Sequence, residues 1–200
     1  MSSEPPSPAD LARRLAPALL EPEEARSLPV HGGKEAAVLV AIYESDGLLG
    51  TVLTKRRDDL RRHAGEISFP GGRRDPDEPD LVSTALREAH EEVGLEPAEV
   101  QLAGALPPTP TIATGYAIHP YVGVIATPQP WRPSESEVAG ILEVPLRDLQ
   151  AGYGRRRLVR RGIPFFTDTY ELAEGLVWGA TARILAGLLE RLAGAGLLRG

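Results

Sequence analysis

Residues Gly71–Leu95 read GGRRDPDEPDLVSTALREAHEEVGL, and their second half is the most strongly patterned helix in the chain. Asp80 stands where a side chain caps a helix start, and Gly94 stands where a left-handed glycine closes one, so the spacing predicts a helix over 80–93. Val82, Ala85, Leu86, Ala89 and Val93 share an arc that can pack on a sheet. Glu88, Glu91 and Glu92 fall at i, i+3 and i+4, within an arc of about 100° beside the apolar one. Three carboxylates so placed repel one another. A divalent cation relieves that repulsion, and hard oxygen ligands suit Mg²⁺ or Mn²⁺. Such an ion can hold phosphate oxygens and orient water. The helix taken alone is better explained as a solvated acidic face on which Arg87 pairs with Glu91 across one turn.

The preceding loop favours the metal reading. Phe69-Pro70-Gly71-Gly72 brings two adjacent glycines, whose backbone can approach an ion closely, although a tight turn after a strand explains the same residues. Glu78, between loop and helix, is placed to anchor Arg87. Upstream, Arg56, Arg57, Arg61 and Arg62 make a local basic cluster in a chain of net charge −6. A cluster so placed can hold substrate phosphate; a solvated loop is the alternative.

Working outward, Glu35–Tyr43 (EAAVLVAIY) is an apolar run expected of a strand buried on both faces. Gly50–Arg56 reads as a second strand, and Val100–Leu106, Ala117–Ala126, Val138–Val144, Arg157–Arg160 and Phe165–Tyr170 as further ones. Thr181–Leu192 reads as a closing helix and Pro145–Gln150 as a helical turn. Near the N-terminus, Met1–Pro8 reads as a mobile tail, Pro8–Leu20 as an amphipathic helix with Leu11, Leu15, Ala16 and Leu19 apolar, and Pro22–Lys34 as a loop. Strands interleaved with helices imply an α/β architecture, layered around a mixed sheet. The expected organisation is an N-terminal extension over 1–30 and one domain over 31–195.

Composition narrows the class. The 200 residues, 42% hydrophobic and 25% charged, suit one soluble domain. No apolar stretch is long enough to span a bilayer, and the polar, Pro-rich start lacks the pattern of a secretory signal. Cysteine is absent, which excludes disulfides and thiol chemistry and fits a cytoplasmic enzyme. The acidic balance disfavours general nucleic-acid binding but leaves room for a small anionic substrate. No repeat or other feature fixes the oligomeric state, and a homodimer stays open.

The combined string resembles the Nudix box: Gly72, a spaced Glu78, Arg87-Glu88, Glu91-Glu92, then Gly94 and Leu95. The interval from Glu78 to Arg87 is one residue longer than the general pattern. Leu53-Thr54-Lys55-Arg56, Arg61, Gly65 and Phe69-Pro70-Gly71-Gly72 resemble the signature of the coenzyme A pyrophosphatase branch, with Val52 and Arg57 where that signature usually has Leu and Ser. The longer box, Thr84-Ala85-Leu86-Arg87-Glu88 and Trp178-Gly179-Ala180-Thr181-Ala182 also resemble this branch.

The resemblance implies a Nudix fold, an α/β/α sandwich with a mixed sheet. It further implies Mg²⁺- or Mn²⁺-dependent hydrolysis of coenzyme A or its derivatives to 3′,5′-ADP and 4′-phosphopantetheine or its derivative. Glu88 and Glu92 would be primary ligands, Glu91 a further ligand or the base, Arg87 their orienting partner, and the Gly71–Gly72 backbone the rest of the ion shell. Glu137, before the Val138–Val144 strand, is the outside candidate for the base. Arg56 and Arg61 are the candidates for holding phosphate, above all the 3′-phosphate of coenzyme A. Tyr116 can stack on adenine or pack in the core. Two rival readings remain: a Nudix hydrolase for ADP-ribose, dinucleoside polyphosphates or a nucleoside triphosphate, and a nucleotide sensor without catalysis. The latter usually carries a degraded box, whereas Arg87, Glu88, Glu91 and Glu92 are all present here.

Overall fold

The computed structural model describes residues 6–59, 65–111, 114–160 and 162–198. The expected tail over Met1–Pro8 lies mostly outside that range. The elements are α1 (Pro8–Leu15), α2 (Pro22–Ser27), β1 (Lys34–Ser45), β2 (Leu48–Arg56), β3 (Ile67–Ser68), β4 (Gly71–Arg73), α3 (Leu81–Val93), β5 (Gln101–Ala105), β6 (Thr109–Pro110), β7 (Tyr116–Val124), β8 (Val138–Pro145), α4 (Leu146–Ala151), β9 (Tyr153–Arg160), β10 (Ile163–Leu172), β11 (Gly175–Trp178) and α5 (Gly179–Gly194).

The apolar run at 35–43 forms the centre of an eight-stranded mixed sheet. Its principal order is β3-β2-β1-β7-β5, with β4 on β1, β6 on β7 and β8 on β2. The β1–β7 pairing is parallel, with Val40 opposite Val122, and the other pairings in this sheet are antiparallel. Because side chains alternate along a strand, Val40 and Ile42 enter one core while Ala37, Leu39 and Ala41 enter the other. The first core is completed by residues of α1, α4 and α5, and the second by residues of α2 and α3. Helices on both faces of a mixed sheet are the expected α/β sandwich.

Several local expectations change. The first helix stops at Leu15, followed by a 3₁₀ turn over Ala16–Ala18, because Pro17 has no N–H to continue the helical hydrogen-bond ladder. Leu11 and Leu15 are buried in the same cluster as Val40 and Leu185, so α1 packs into the main core. The loop expected over 22–34 contains α2, which starts with Pro22 at its first position, where the missing N–H is harmless. Strands β9, β10 and β11 form a second, three-stranded antiparallel sheet rather than extending the first.

Helix α3 follows its sequence signals at both ends. The Asp80 side chain accepts a hydrogen bond from the Ser83 N–H at 2.7 Å, and Gly94 closes the helix with φ 73°. Its buried arc is the expected one at Ala85, Ala89 and Val93 and departs from it at Val82 and Leu86. Leu81, Thr84, Ala85, Ala89, Glu92 and Val93 are buried, while Val82 and Leu86 are only partly buried at the flank. Packing against β1 turns the helix toward its glutamate side, and one of the three carboxylates goes under the surface.

Candidate active site

The site is assembled where α3 crosses β4. Pairing of β4 with β1 sets Gly71 opposite Val38 and Gly72 opposite Ala37. A Cβ on residue 72 would collide with the Glu88 carboxylate, and one on residue 71 would collide with the Ala37 carbonyl and Val38. Two glycines are therefore required for two different reasons: one lets the strand approach β1, the other leaves space for a carboxylate. The Gly71 N–H also donates to Glu92 Oε2 at 3.3 Å.

Glu92 is 6% exposed and Glu88 is largely covered, one turn apart on the same helix. Burial pushes the Glu92 carboxyl up to about 7. The Glu88 charge adds to this shift, and the Gly71 N–H and Arg56 oppose it. Burial also raises Glu88 above the usual carboxylate range, against the pull of Arg87. Two half-desolvated carboxylates that resist ionising together are the electrostatic demand a cation answers. Mg²⁺ commonly takes one or two carboxylates and completes its shell with water and substrate phosphate. The Glu88–Glu92 pair, with the Glu88 carboxylate lying against the Gly72 backbone, fits that pattern. Among the described residues, no three acidic or histidine side chains converge closely enough to enclose an ion by themselves.

Arg87 explains why Glu91 stands apart. Its Nε donates to Glu78 Oε1 at 2.7 Å, one terminal nitrogen to Glu91 Oε2 at 2.9 Å, and the other to Glu88 Oε1 at 2.9 Å and the Arg73 carbonyl at 3.1 Å. Glu91 is thereby held on the exposed side of the helix. Burial opposes the Arg87 charge, yet the surrounding carboxylates hold the guanidinium more firmly protonated than usual. Burial likewise tends to raise Glu78, but hydrogen bonds from Arg87, Thr84 and the Asp75 N–H outweigh it and hold the carboxyl low. The extra residue between Glu78 and Arg87 does not displace Glu78 from its partner.

Arg56 and Glu137 join the site through strand pairing. A register irregularity between Lys55 and Arg56, where β2 meets β8, sets Arg56 opposite Val138, and such bulges re-aim side chains. The Arg56 guanidinium lies 3.6 Å from Glu92 Oε1 and 3.3 Å from Glu137 Oε2. The loop carrying Glu137 is tied to the C-terminal end of α3. The Arg132 and Ser134 N–H groups donate to the Val93 and Glu92 carbonyls at 3.0 and 2.9 Å, which a helix end leaves without internal partners. The Arg57 N–H donates to the Glu137 carbonyl at 3.0 Å.

The remaining expected residues divide. Arg57 turns away to Asp59 and the Glu135 carbonyl. Arg61, with Arg62, lies outside the described residues. Tyr116 begins β7, paired with Lys34 of β1, and the Lys34 ammonium stands 5.5 Å from the centre of its ring. Two contributors went unrecognised in the sequence. Arg74 ties Glu35 to the Glu78 carbonyl, with no local signal beyond its charge in an acidic loop. Thr84, whose hydroxyl donates to Glu78 Oε2, carries no sequence signal beyond the resemblance.

A family model of the NUDIX domain matches residues 33–162. An uncharacterized Nudix hydrolase, NudL, of Salmonella paratyphi B is 41% identical over 154 residues, which covers 76% of this chain and 79% of the relative. In fold, an Ap4A hydrolase of C. elegans superposes with a TM-score of 0.54 at 17% identity over 80% of this chain and 98% of that one. The NUDIX domain of Shewanella oneidensis NrtR, solved with ADP ribose, superposes with a TM-score of 0.54 at 16% identity over 84% and 92% of the two chains. The chain belongs to the Nudix hydrolase family. Enzymes of that family generally work with divalent cations such as Mg²⁺ or Mn²⁺. Among the described residues no helix is long and apolar enough to cross a membrane.

Proposed function

We propose that this enzyme hydrolyses the diphosphate bond of coenzyme A or a coenzyme A derivative, with Mg²⁺ or Mn²⁺, releasing 3′,5′-ADP and 4′-phosphopantetheine or its derivative. The observation that carries the hydrolytic part is the pair of crowded carboxylates, Glu88 and Glu92, packed against the Gly71–Gly72 strand. The coenzyme A assignment rests on the resemblance over Leu53–Leu95.

Glu88 and Glu92 would hold a divalent ion, which when bound would supply charge neutralisation at the diphosphate and activation of water. Arg87 fixes the Glu88 rotamer from one side and holds Glu91 from the other. Arg56 contributes positive charge beside Glu92 and keeps Glu137 at the mouth of the site. Half exposed, Glu137 is accessible to water and can take a proton from it. Glu91 is the second candidate for that proton, although Arg87 already occupies one of its oxygens.

The test is a panel of coenzyme A, acyl- and disulfide forms, ADP-ribose, dinucleoside polyphosphates and nucleoside triphosphates, each with Mg²⁺ and with Mn²⁺, products identified by mass. Coenzyme A should give 3′,5′-ADP and compete with any other substrate turned over. Preferred cleavage of Ap4A, for which one fold neighbour is named, or of ADP-ribose, with which the other was solved, without inhibition by coenzyme A, would replace this substrate assignment and keep the Nudix chemistry.

A further inference from the structure

We infer that Thr84 is a positioning residue for the metal-binding glutamates, acting through Glu78 and Arg87. This rests on the reading of Glu88 and Glu92 as the cation site. Thr84 lies on the buried face of α3 with no solvent exposure. A buried threonine hydroxyl there normally returns its proton to the helix carbonyl four residues back. The Asp80 carbonyl is available for that at 3.4 Å. The hydroxyl instead sits 2.6 Å from Glu78 Oε2, so its single proton goes to the carboxylate, where a charge-assisted bond is stronger.

Glu78 Oε2 has one further donor, the Asp75 N–H at 2.8 Å. Together the two donors fix the plane of the carboxylate, which aims Oε1 at Arg87 Nε, 2.7 Å away. Arg87 is a rigid fork. Fixing its Nε side fixes where its other two nitrogens point, and these hold Glu88 and Glu91. The chain of control therefore runs from Thr84 to Glu78 to Arg87 to Glu88. It also accounts for the tolerance of the longer Glu78–Arg87 interval. Glu78 approaches α3 from a loop, and a hydroxyl on the first turn of the helix catches it.

Thr84→Val keeps the shape and removes the proton; Thr84→Ser keeps the proton and loses the methyl. If Thr84 positions the site, Thr84→Val should lower kcat about tenfold and weaken Mn²⁺ binding several-fold, beyond any fall in thermal midpoint from the lost hydrogen bond. Mn²⁺ affinity is read by titration calorimetry or by the metal-induced rise in Tm, and needs no substrate. Thr84→Ser should show the opposite pattern, near wild-type Mn²⁺ affinity with a lower Tm from the vacated methyl space. Wild-type metal affinity in Thr84→Val, or equal loss in both variants, would overturn the inference. Should the valine variant not fold, the serine variant decides alone: retained affinity supports the positioning role, and lost affinity removes it. Wild-type protein that binds Mn²⁺ but cleaves no diphosphate would refute the proposed function and leave this test intact.

Discussion

Gly72 leaves open the space that the Glu88 carboxylate fills; a Cβ at position 72 and the present Glu88 rotamer exclude one another. The atom in the way is the far end of a flexible side chain, so Gly72→Ala should fold with little loss of stability and force Glu88 to a new rotamer. At Gly71 the obstacle is the backbone of β1, at Ala37 and Val38, which cannot swing aside. Gly71→Ala should therefore destabilise the fold by about 1–3 kcal/mol, the usual cost of overpacking. Chemical denaturation and Mn²⁺ titration of both variants separate the two. Normal metal binding in Gly72→Ala would mean that Glu88 is no ligand in its present position.

Glu92→Gln should lower kcat by about a hundredfold or more if Glu92 holds the cation as proposed, since the charge it would contribute to the ion is removed. The folded protein should not suffer in the absence of metal. The Gly71 N–H keeps an oxygen acceptor, and a buried charge beside Glu88 disappears. Unfolding curves with chelator, set against kcat with saturating Mg²⁺, test both halves. Near wild-type turnover would remove Glu92 from the metal site.

What could be read in the sequence was whatever is local. Asp80, Gly94 and the Glu88/Glu91/Glu92 spacing belong to one helix, whose caps and periodicity are written within fifteen residues, and Gly71-Gly72 lies just upstream. The apolar arc of that helix packs as its spacing implies at Ala85, Ala89 and Val93, but Val82 and Leu86 are as apolar as Leu81, and only packing against β1 decides that Leu81 is fully covered and they are not. Glu92 consequently goes under the surface, which spacing alone does not reveal. The meeting of Arg56 with Glu137, 81 residues apart, depends on β2–β8 pairing and a bulge, neither of which has a local signature. The separate sheet of β9, β10 and β11 was hidden for the same reason: strand propensity does not say which sheet a strand joins.

The cap of α3 should make stability depend on pH. The Ser83 N–H bond favours the charged form of Asp80 and lowers its pKa in the fold, with a further bond to the Ser83 side chain and to the Val82 N–H. A carboxylate depressed by folding contributes its full stabilisation above its unfolded pKa, near 4, and loses it as pH falls through the lower folded value. Asp80→Ala should cost about 0.5–2 kcal/mol at pH 7, and the gap to wild type should narrow as pH drops below about 4. Asp80→Asn keeps a cap without the titration, so its gap to wild type at pH 7 should be smaller. Urea unfolding of the three proteins at pH 7 and pH 3.5 measures this, and a gap for Asp80→Ala that is independent of pH would show that the charge contributes nothing.

The position of Arg56 changes what its removal should do. From sequence alone, an arginine in this basic run is a candidate for the 3′-phosphate of coenzyme A. In the structure its guanidinium faces Glu92 and Glu137, beside one of the two carboxylates that would hold the cation, which is where the bridging diphosphate would lie. Coenzyme A and dephospho-coenzyme A share that diphosphate and differ only in the 3′-phosphate. Arg56→Ala should then lower kcat/KM for both by the same factor, about ten- to a hundredfold for one charge-assisted contact. Part of the loss should appear in kcat, because Glu137 loses the partner that holds it at the site. Arg61→Ala is the variant in which coenzyme A should suffer more than its dephospho form, if an arginine of this run holds the 3′-phosphate. The measurement is kcat/KM for both substrates with each variant. A loss confined to coenzyme A in Arg56→Ala would move Arg56 to the 3′-phosphate, and unchanged constants on both substrates would leave it a structural partner of Glu137.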